Sequence, residues 1–242
     1  MTDRKARDQM VKVVQSYMNE EITAFQFDEA LDEAVNATED KTVWTVRQEL
    51  WFHYDDCKDH RIVASKEQWD HFNRLLLVLE SDGEMEIVRT WHTWHPRQVV
   101  ATVLFITFMV VAVQSGFGEH LVVLALPFGP FSMLLAWLKS RHRKRTTPAA
   151  ETALAPFPSV RSLLAIRRSV PAFRRKRYPR SLKGRTIRDP LIDKLMWIPW
   201  TMAWWMFSPV AIFFQMLPER ESETRIKVPE SGAAGDTLAA RA

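Results

Sequence analysis

Cysteine is nearly absent: Cys57 is the only one in 242 residues. A lone thiol excludes an intrachain disulfide framework and any zinc site built from paired cysteines. Glycine is also sparse, with seven residues, and none builds a Gly-rich phosphate loop or the sharp G-x-S-x-G turn that exposes a catalytic serine. H-E-x-x-H is missing as well. The sequence therefore supports no enzyme class and calls for no cofactor.

Charge is absent from long stretches. Val99–Val113 carries none and is extended by Gln114, Ser115 and Gly116; Leu121–Leu138 is a second such run and Leu195–Leu217 a third. At 1.5 Å rise per residue these cover roughly 22, 27 and 34 Å, against a hydrocarbon core of about 30 Å. Trp91 and Trp94 precede the first run and Trp137 closes the second. Indole suits the water–lipid boundary, because its body is buried while its N–H stays wet. The sequence thus predicts two spans, at about 99–116 and 121–138, forming a hairpin.

Basic residues orient that hairpin. Arg89 and Arg97 lie before it, the connector Gln114–His120 has no Lys or Arg, and Lys139, Arg141, Arg143, Lys144 and Arg145 follow at once. Lys and Arg in short loops stay on the cytoplasmic side, so both ends should be cytoplasmic, with Gly116-Phe117-Gly118 outside. The opening MTDRKARDQM has no apolar stretch after its charges, so the first span is expected to direct its own insertion, into the plasma or inner membrane. In the third run Trp197, Trp200, Trp204 and Trp205 share one helical side, with Trp197 and Trp200 as interface anchors, and Pro199 and Pro209 interrupt it. A third span with an external tail is expected; an interfacial helix is the alternative.

The remaining charge is divided unevenly. Residues 1–98 hold 12 basic and 20 acidic groups, whereas 139–194 hold 17 basic and 3 acidic. Residues 1–85 read as a soluble helical module. Its apolar stripes are Met10, Val13, Val14, Tyr17 and Met18; Phe25, Leu31, Ala34 and Val35; Val43, Val46, Leu50, Trp51 and Tyr54; and Trp69, Phe72, Leu75, Leu76 and Leu79. Asp40 is placed to cap the third helix and Ser65 with Gln68 the fourth, which should stop at Ser81-Asp82-Gly83 through a left-handed glycine. Residues 86–98 read as a connector, 139–194 as a basic cytoplasmic loop and 218–242 as a disordered tail. The expected fold class is all-α.

Three constellations stand out as sites. His53, Cys57 and His60 would share a face if helical, enough for three ligands to a metal, although a polar helix end has the same composition. Pro127 and Pro130 interrupt the second run and release the carbonyls of Val123 and Leu126, as in broken helices that line substrate paths. The basic loop, above all Lys139–Arg145 and Arg174, Arg175, Lys176 and Arg177, suits anionic lipid head groups at about 1 kcal/mol per charge. Nucleic acid is disfavoured, since lipid is the nearer polyanion. The leading expectation is a non-enzymatic membrane protein of interaction or regulatory type, whose acidic module either docks on the basic loop or yields it to lipid. Such a contact should weaken with salt, and residues 1–85 are a candidate surface for a protein partner. A small channel or transporter subunit with a kinked second span, and a metal-dependent enzyme at His53, Cys57 and His60, are the alternatives.

Overall fold

The computed structural model describes residues 2–55, 57–92, 95–116, 118–146 and 153–227, apart from the side chains of His92, residues 143–146, Pro190, Asp193 and residues 219–221. It is mostly helical, and the chain divides into two compact units.

The first unit contains α1 (Arg4–Met18), α2 (Ala24–Asn36), α3 (Lys41–Trp51) and α4 (Lys66–Glu80). Each begins where the sequence supplies a cap: Asp3 accepts from the Ala6 N–H, Gln26 accepts from the Thr23 N–H, Asp40 accepts from the Thr42 N–H, and Ser65 exchanges bonds with Gln68. These bonds satisfy donors that the first helical turn leaves open. The apolar stripes then meet in one core, with Tyr17 stacked on Phe27 at 4.2 Å and Leu31, Val46, Leu50, Phe72 and Leu75 fully buried. Gly83 does not end α4 by a left-handed turn. Extended Ser81 ends it, and the Gly83 carbonyl instead accepts from Arg7.

The fold is not purely all-α. β1 (Glu84–His92) pairs with a strand near the C-terminus, β2 (Glu219–Lys227), in a two-stranded sheet. Both strands alternate: Met85 is buried between exposed Glu84 and Glu86, and Ile226 is buried between exposed Arg225 and Lys227. Period-two alternation is the strand signal, and it is easily overlooked among so many charges. The segment expected to be a tail from residue 218 is therefore strand up to Lys227; residues 228–242 lie outside the described residues. The connector 86–98 is likewise mostly β1.

Residues 153–187 also belong to the first unit, so 139–194 is not one continuous loop. Ser159 caps α8 (Val160–Ser169), a 3-10 turn follows at Arg180–Leu182, and Phe157, Ile166, Phe173 and Leu182 enter the same core as α1–α4.

The second unit comprises residues 89–148 and 188–222. Here α5 (Pro96–Ser115) is followed by α6 (Leu121–Ala125) and α7 (Phe128–Thr146), which together form a second long apolar helical stretch over Leu121–His142. Both are long and apolar enough to cross a membrane, and only 17% and 22% of their apolar windows are buried inside the protein. The hydroxyls inside α5 are satisfied locally, Thr102 donating to the Gln98 carbonyl and Thr107 to that of Val103. The third apolar run is not one helix. It divides at Phe207 into α9 (Pro190–Met206) and α10 (Ser208–Met216), because Pro209 in the first turn of α10 has no N–H to continue the α9 ladder. α10 packs along α5, with Ile212 against Ala101 and Leu135.

Candidate interaction surface

The most elaborate polar contact outside the helices is where α4 receives the basic segment. One turn of α4 supplies Trp69, Asp70, Asn73 and Arg74, residues at helical spacing that share a face. Asn73 grips the Lys176 main chain from both sides: its Oδ1 accepts from the Lys176 N–H at 2.8 Å, and its Nδ2 donates to the Lys176 carbonyl at 3.2 Å. The Trp69 indole N–H reaches the same carbonyl at 3.0 Å. Arg74 donates to the Ala155 carbonyl at 2.6 Å, and the Tyr178 hydroxyl to that of Ala64 at 3.0 Å. Most of these bonds run to backbone, so they fix the course of the segment rather than neutralise its charge.

Charge pairing is secondary. Arg175 meets Asp70 at 2.5 Å on a largely exposed rim, and Arg185 meets Glu20 at 3.2 Å. The Lys176 ammonium donates to Asn19 at 2.6 Å, and burial lowers its pKa against the opposing pull of Glu21. Among the described residues Arg168, Arg174, Arg177, Arg180 and Lys183 remain exposed with no carboxylate partner.

Elsewhere in the first unit lies an ion pair that local sequence gives no hint of. Arg7 is fully buried, 2.7 Å from Asp40, and also donates to the carbonyls of Ser81 and Gly83. Burial alone would raise the Asp40 pKa, but bonds from Arg7 and from the N–H groups of Asp3 and Thr42 outweigh it and hold the pKa below the usual value. A second cluster ties β2 to the helices. The Thr224 hydroxyl donates to Glu49, whose carboxylate lies 3.5 Å from His71, and His71 Nδ1 lies 3.2 Å from the Ala155 carbonyl oxygen.

The residues singled out as metal ligands do not converge. α3 ends at Trp51, so His53, Cys57 and His60 are not on a helix. The His53 ring packs against His71 and Phe72, both nitrogens of His60 engage main chain at Asp55 and Arg61, and Cys57 is exposed. Among the described residues no group of three or more His, Cys, Asp or Glu is placed to hold a metal.

The basic residues after the second long apolar stretch extend along the end of α7. Arg141 lies over the Trp137 ring at 5.1 Å, and Lys139 is exposed. The side chains of Arg143, Lys144 and Arg145 lie outside the described part. Of the aromatic anchors, Trp91, Trp137, Trp197 and Trp200 are all more than half exposed, and Trp94 lies outside the described residues.

The proline-interrupted stretch is broken between Ala125 and Phe128. The Gly129 N–H turns to the Leu126 carbonyl, which leaves that of Ala125 without its helical donor; buried Ser208 fills the place at 2.7 Å. An open groove of about 230 Å³ lies beside the break, lined by Phe108, Leu121, Val122, Ala125, Phe207 and Pro209 among others. Every lining residue is apolar. Comparison with protein-family models, curated proteins and solved structures gives no match.

Proposed function

We propose that this chain is an integral membrane protein of interaction or regulatory type, without catalytic chemistry of its own. In this reading α5 and the α6–α7 stretch cross the plasma or inner membrane as a hairpin with both ends cytoplasmic. The first unit is then a cytoplasmic head. The observation that carries the membrane assignment is exposure: Val99, Val103, Ile106, Val110 and Val113 on α5 and Val123, Phe131, Leu134 and Leu138 on α6–α7 are uncovered. A soluble protein seldom leaves so contiguous an apolar surface in water.

Within the head, the basic segment serves two partners. Arg175, Lys176 and Arg185 hold it to the acidic helices, while Arg168, Arg174, Arg177, Arg180 and Lys183 remain available for anionic head groups or for an acidic protein. Four apolar side chains anchor the segment, and apolar burial is not screened by salt. The head should therefore keep the segment at high ionic strength, whereas the lipid contact should weaken.

The test is the lipid composition of the purified full chain after extraction from bilayers of phosphatidylcholine and phosphatidylserine. Changing Arg174, Arg177 and Arg180 together to Gln should cut the retained phosphatidylserine strongly, as three contacts of about 1 kcal/mol each imply. Equal retention by wild type and variant would reject the lipid contact. The apolar lining of the groove gives the channel alternative no support, and the separation of His53, Cys57 and His60 gives the metal alternative none.

A further inference from the structure

We infer that residues 188–222 form a re-entrant element, which dips into the bilayer from the cytoplasmic side and returns to the side it came from, so that the C-terminal tail is cytoplasmic. The inference rests on the membrane reading above but adds a topology that composition alone does not supply. Uncharged runs at 99–116, 121–138 and 195–217 read most simply as three spans, with the tail outside.

The segment leaves the first unit after Ile187, whose carbonyl accepts from Lys58 at 3.0 Å. It returns to the same unit in β2, where Ile226 is buried in the core, the Ile226 N–H donates to the Pro156 carbonyl at 3.2 Å, and Thr224 bonds Glu49. A folded head with a single core lies on one side of a bilayer. A segment that starts and ends in it crosses an even number of times. Residues 89–148 satisfy this with two crossings. Residues 188–222 contain one helix of 17 residues and one of nine; α10 rises only about 13 Å and cannot span about 30 Å of hydrocarbon. Two crossings are out of reach, which leaves none.

Contacts inside the second unit describe the turn. Trp204, on α9, donates to the Ser132 hydroxyl at 3.0 Å, and Gln215, on α10, donates to the Ser132 carbonyl at 3.1 Å. An unbroken helix would hold those two residues about 16 Å apart along its axis; here both reach one buried serine across the break at Phe207. At the tip, Ser208 supplies the donor that the Ala125 carbonyl lacks. At the base, Gln98 in the first turn of α5 donates to the Leu217 carbonyl at 2.9 Å. Gly129 allows the close approach, since a Cβ there would lie 3.0 Å from the Trp205 ring. In hydrocarbon no water substitutes for these partners, and each unsatisfied group is costly. The polar side chains thus mark where the returning chain is held.

The occupant of the uncovered face follows from the same topology. Leu191, Ile192, Leu195, Met196, Trp197 and Ile198 on α9 are all exposed. They belong to a unit built on the two apolar spans and are flanked on both sides by returns to the cytoplasmic head. The acyl chains of the cytoplasmic leaflet are what they meet.

The experiment is site-directed labelling of the full chain in intact cells with a membrane-impermeant maleimide. Cys57→Ser provides the background, and Glu119→Cys, Thr237→Cys and Ile198→Cys are added singly. Glu119→Cys should label in intact cells. Thr237→Cys should label only after permeabilisation, as should Cys57 in the separately labelled wild-type chain. Ile198→Cys should resist the reagent until detergent is added. Labelling of Thr237→Cys in intact cells while Cys57 stays protected would overturn the re-entrant topology and leave the hairpin standing. Protection of Glu119→Cys in intact cells would remove the hairpin itself, and this inference with it. An oxidatively crosslinked dimer through Ile198→Cys would replace lipid by a second copy of the chain on that face.

Discussion

Replacing Asn73 with alanine separates a basic segment that belongs to the fold from one that merely rests on an acidic surface. The substitution removes both bonds to Lys176. The Lys176 carbonyl keeps the Trp69 indole, so its loss costs about 1 kcal/mol, whereas the N–H is left without a partner at about 2 kcal/mol. A total near 3 kcal/mol raises the population of the opened segment about 100-fold. Trypsin reads this directly, because Arg174-Arg175-Lys176-Arg177 is a run of cleavage sites, and cleavage follows the open population when reclosing is fast. Asp70→Ala is the contrast. It deletes the rim pair with Arg175 and the charge facing Arg74, while every bond to the segment's backbone stays; an exposed pair of this kind is worth at most about 1 kcal/mol and its loss should accelerate cutting no more than about fivefold. Because Phe157, Ile166, Phe173 and Leu182 are buried along the same segment, raising the salt should change the wild-type rate little. An Asn73→Ala protein cut no faster than wild type would refute the reasoning. So would a wild-type segment that salt alone releases.

Two further outcomes follow from buried charge. Arg7→Met leaves Asp40 buried and unpaired and should cost about 3–5 kcal/mol, lowering the Tm of the head by about 10 °C in a thermal melt of the detergent-solubilised chain; an unchanged Tm would mean that the pair does not hold α1 to the start of α3. The His53 pKa is pushed down to about 4, first by burial and then by the charge of His71, against the pull of Glu49. The unfolded chain takes up this proton at higher pH than the folded one, so the contribution is complete above about pH 6.5 and is lost as the pH falls toward 4. His53→Phe, which keeps a ring against Phe72, should flatten the fall in Tm across that window. The same slope in wild type and variant would assign the fall to other groups.

What the sequence revealed was what repeats locally. The helical stripes of Met10, Val14 and Tyr17 or of Phe72, Leu75 and Leu79, the cap at Asp40 and the Ser65–Gln68 exchange all involve neighbours within a few residues, and each appears where its spacing placed it. The two long uncharged helical stretches were equally legible. Arg7 with Asp40 is 33 residues apart, and Asn73 with Lys176 is 103; neither leaves a periodic trace. The packing of the basic segment is concealed for a related reason. Its charge is conspicuous, but Phe157, Ile166, Phe173 and Leu182, which bury it, are too widely spaced to form a stripe. β2 was hidden by its own charges, although Thr224 and Ile226 alternate as a strand should. In the third apolar run the signal was present in Pro209, yet composition does not say whether a proline bends a span or ends a helix. The answer lies in where the chain goes afterwards, into the core through Ile226.

Every topological role proposed above requires α5 and α6–α7 to be immersed in lipid. Washing membranes from cells that express the full chain with alkaline carbonate, and then fractionating the extract, tests this directly. The protein is expected to stay in the pellet and to be released by detergent alone. Recovery in the aqueous supernatant as a compact monomer would contradict the account.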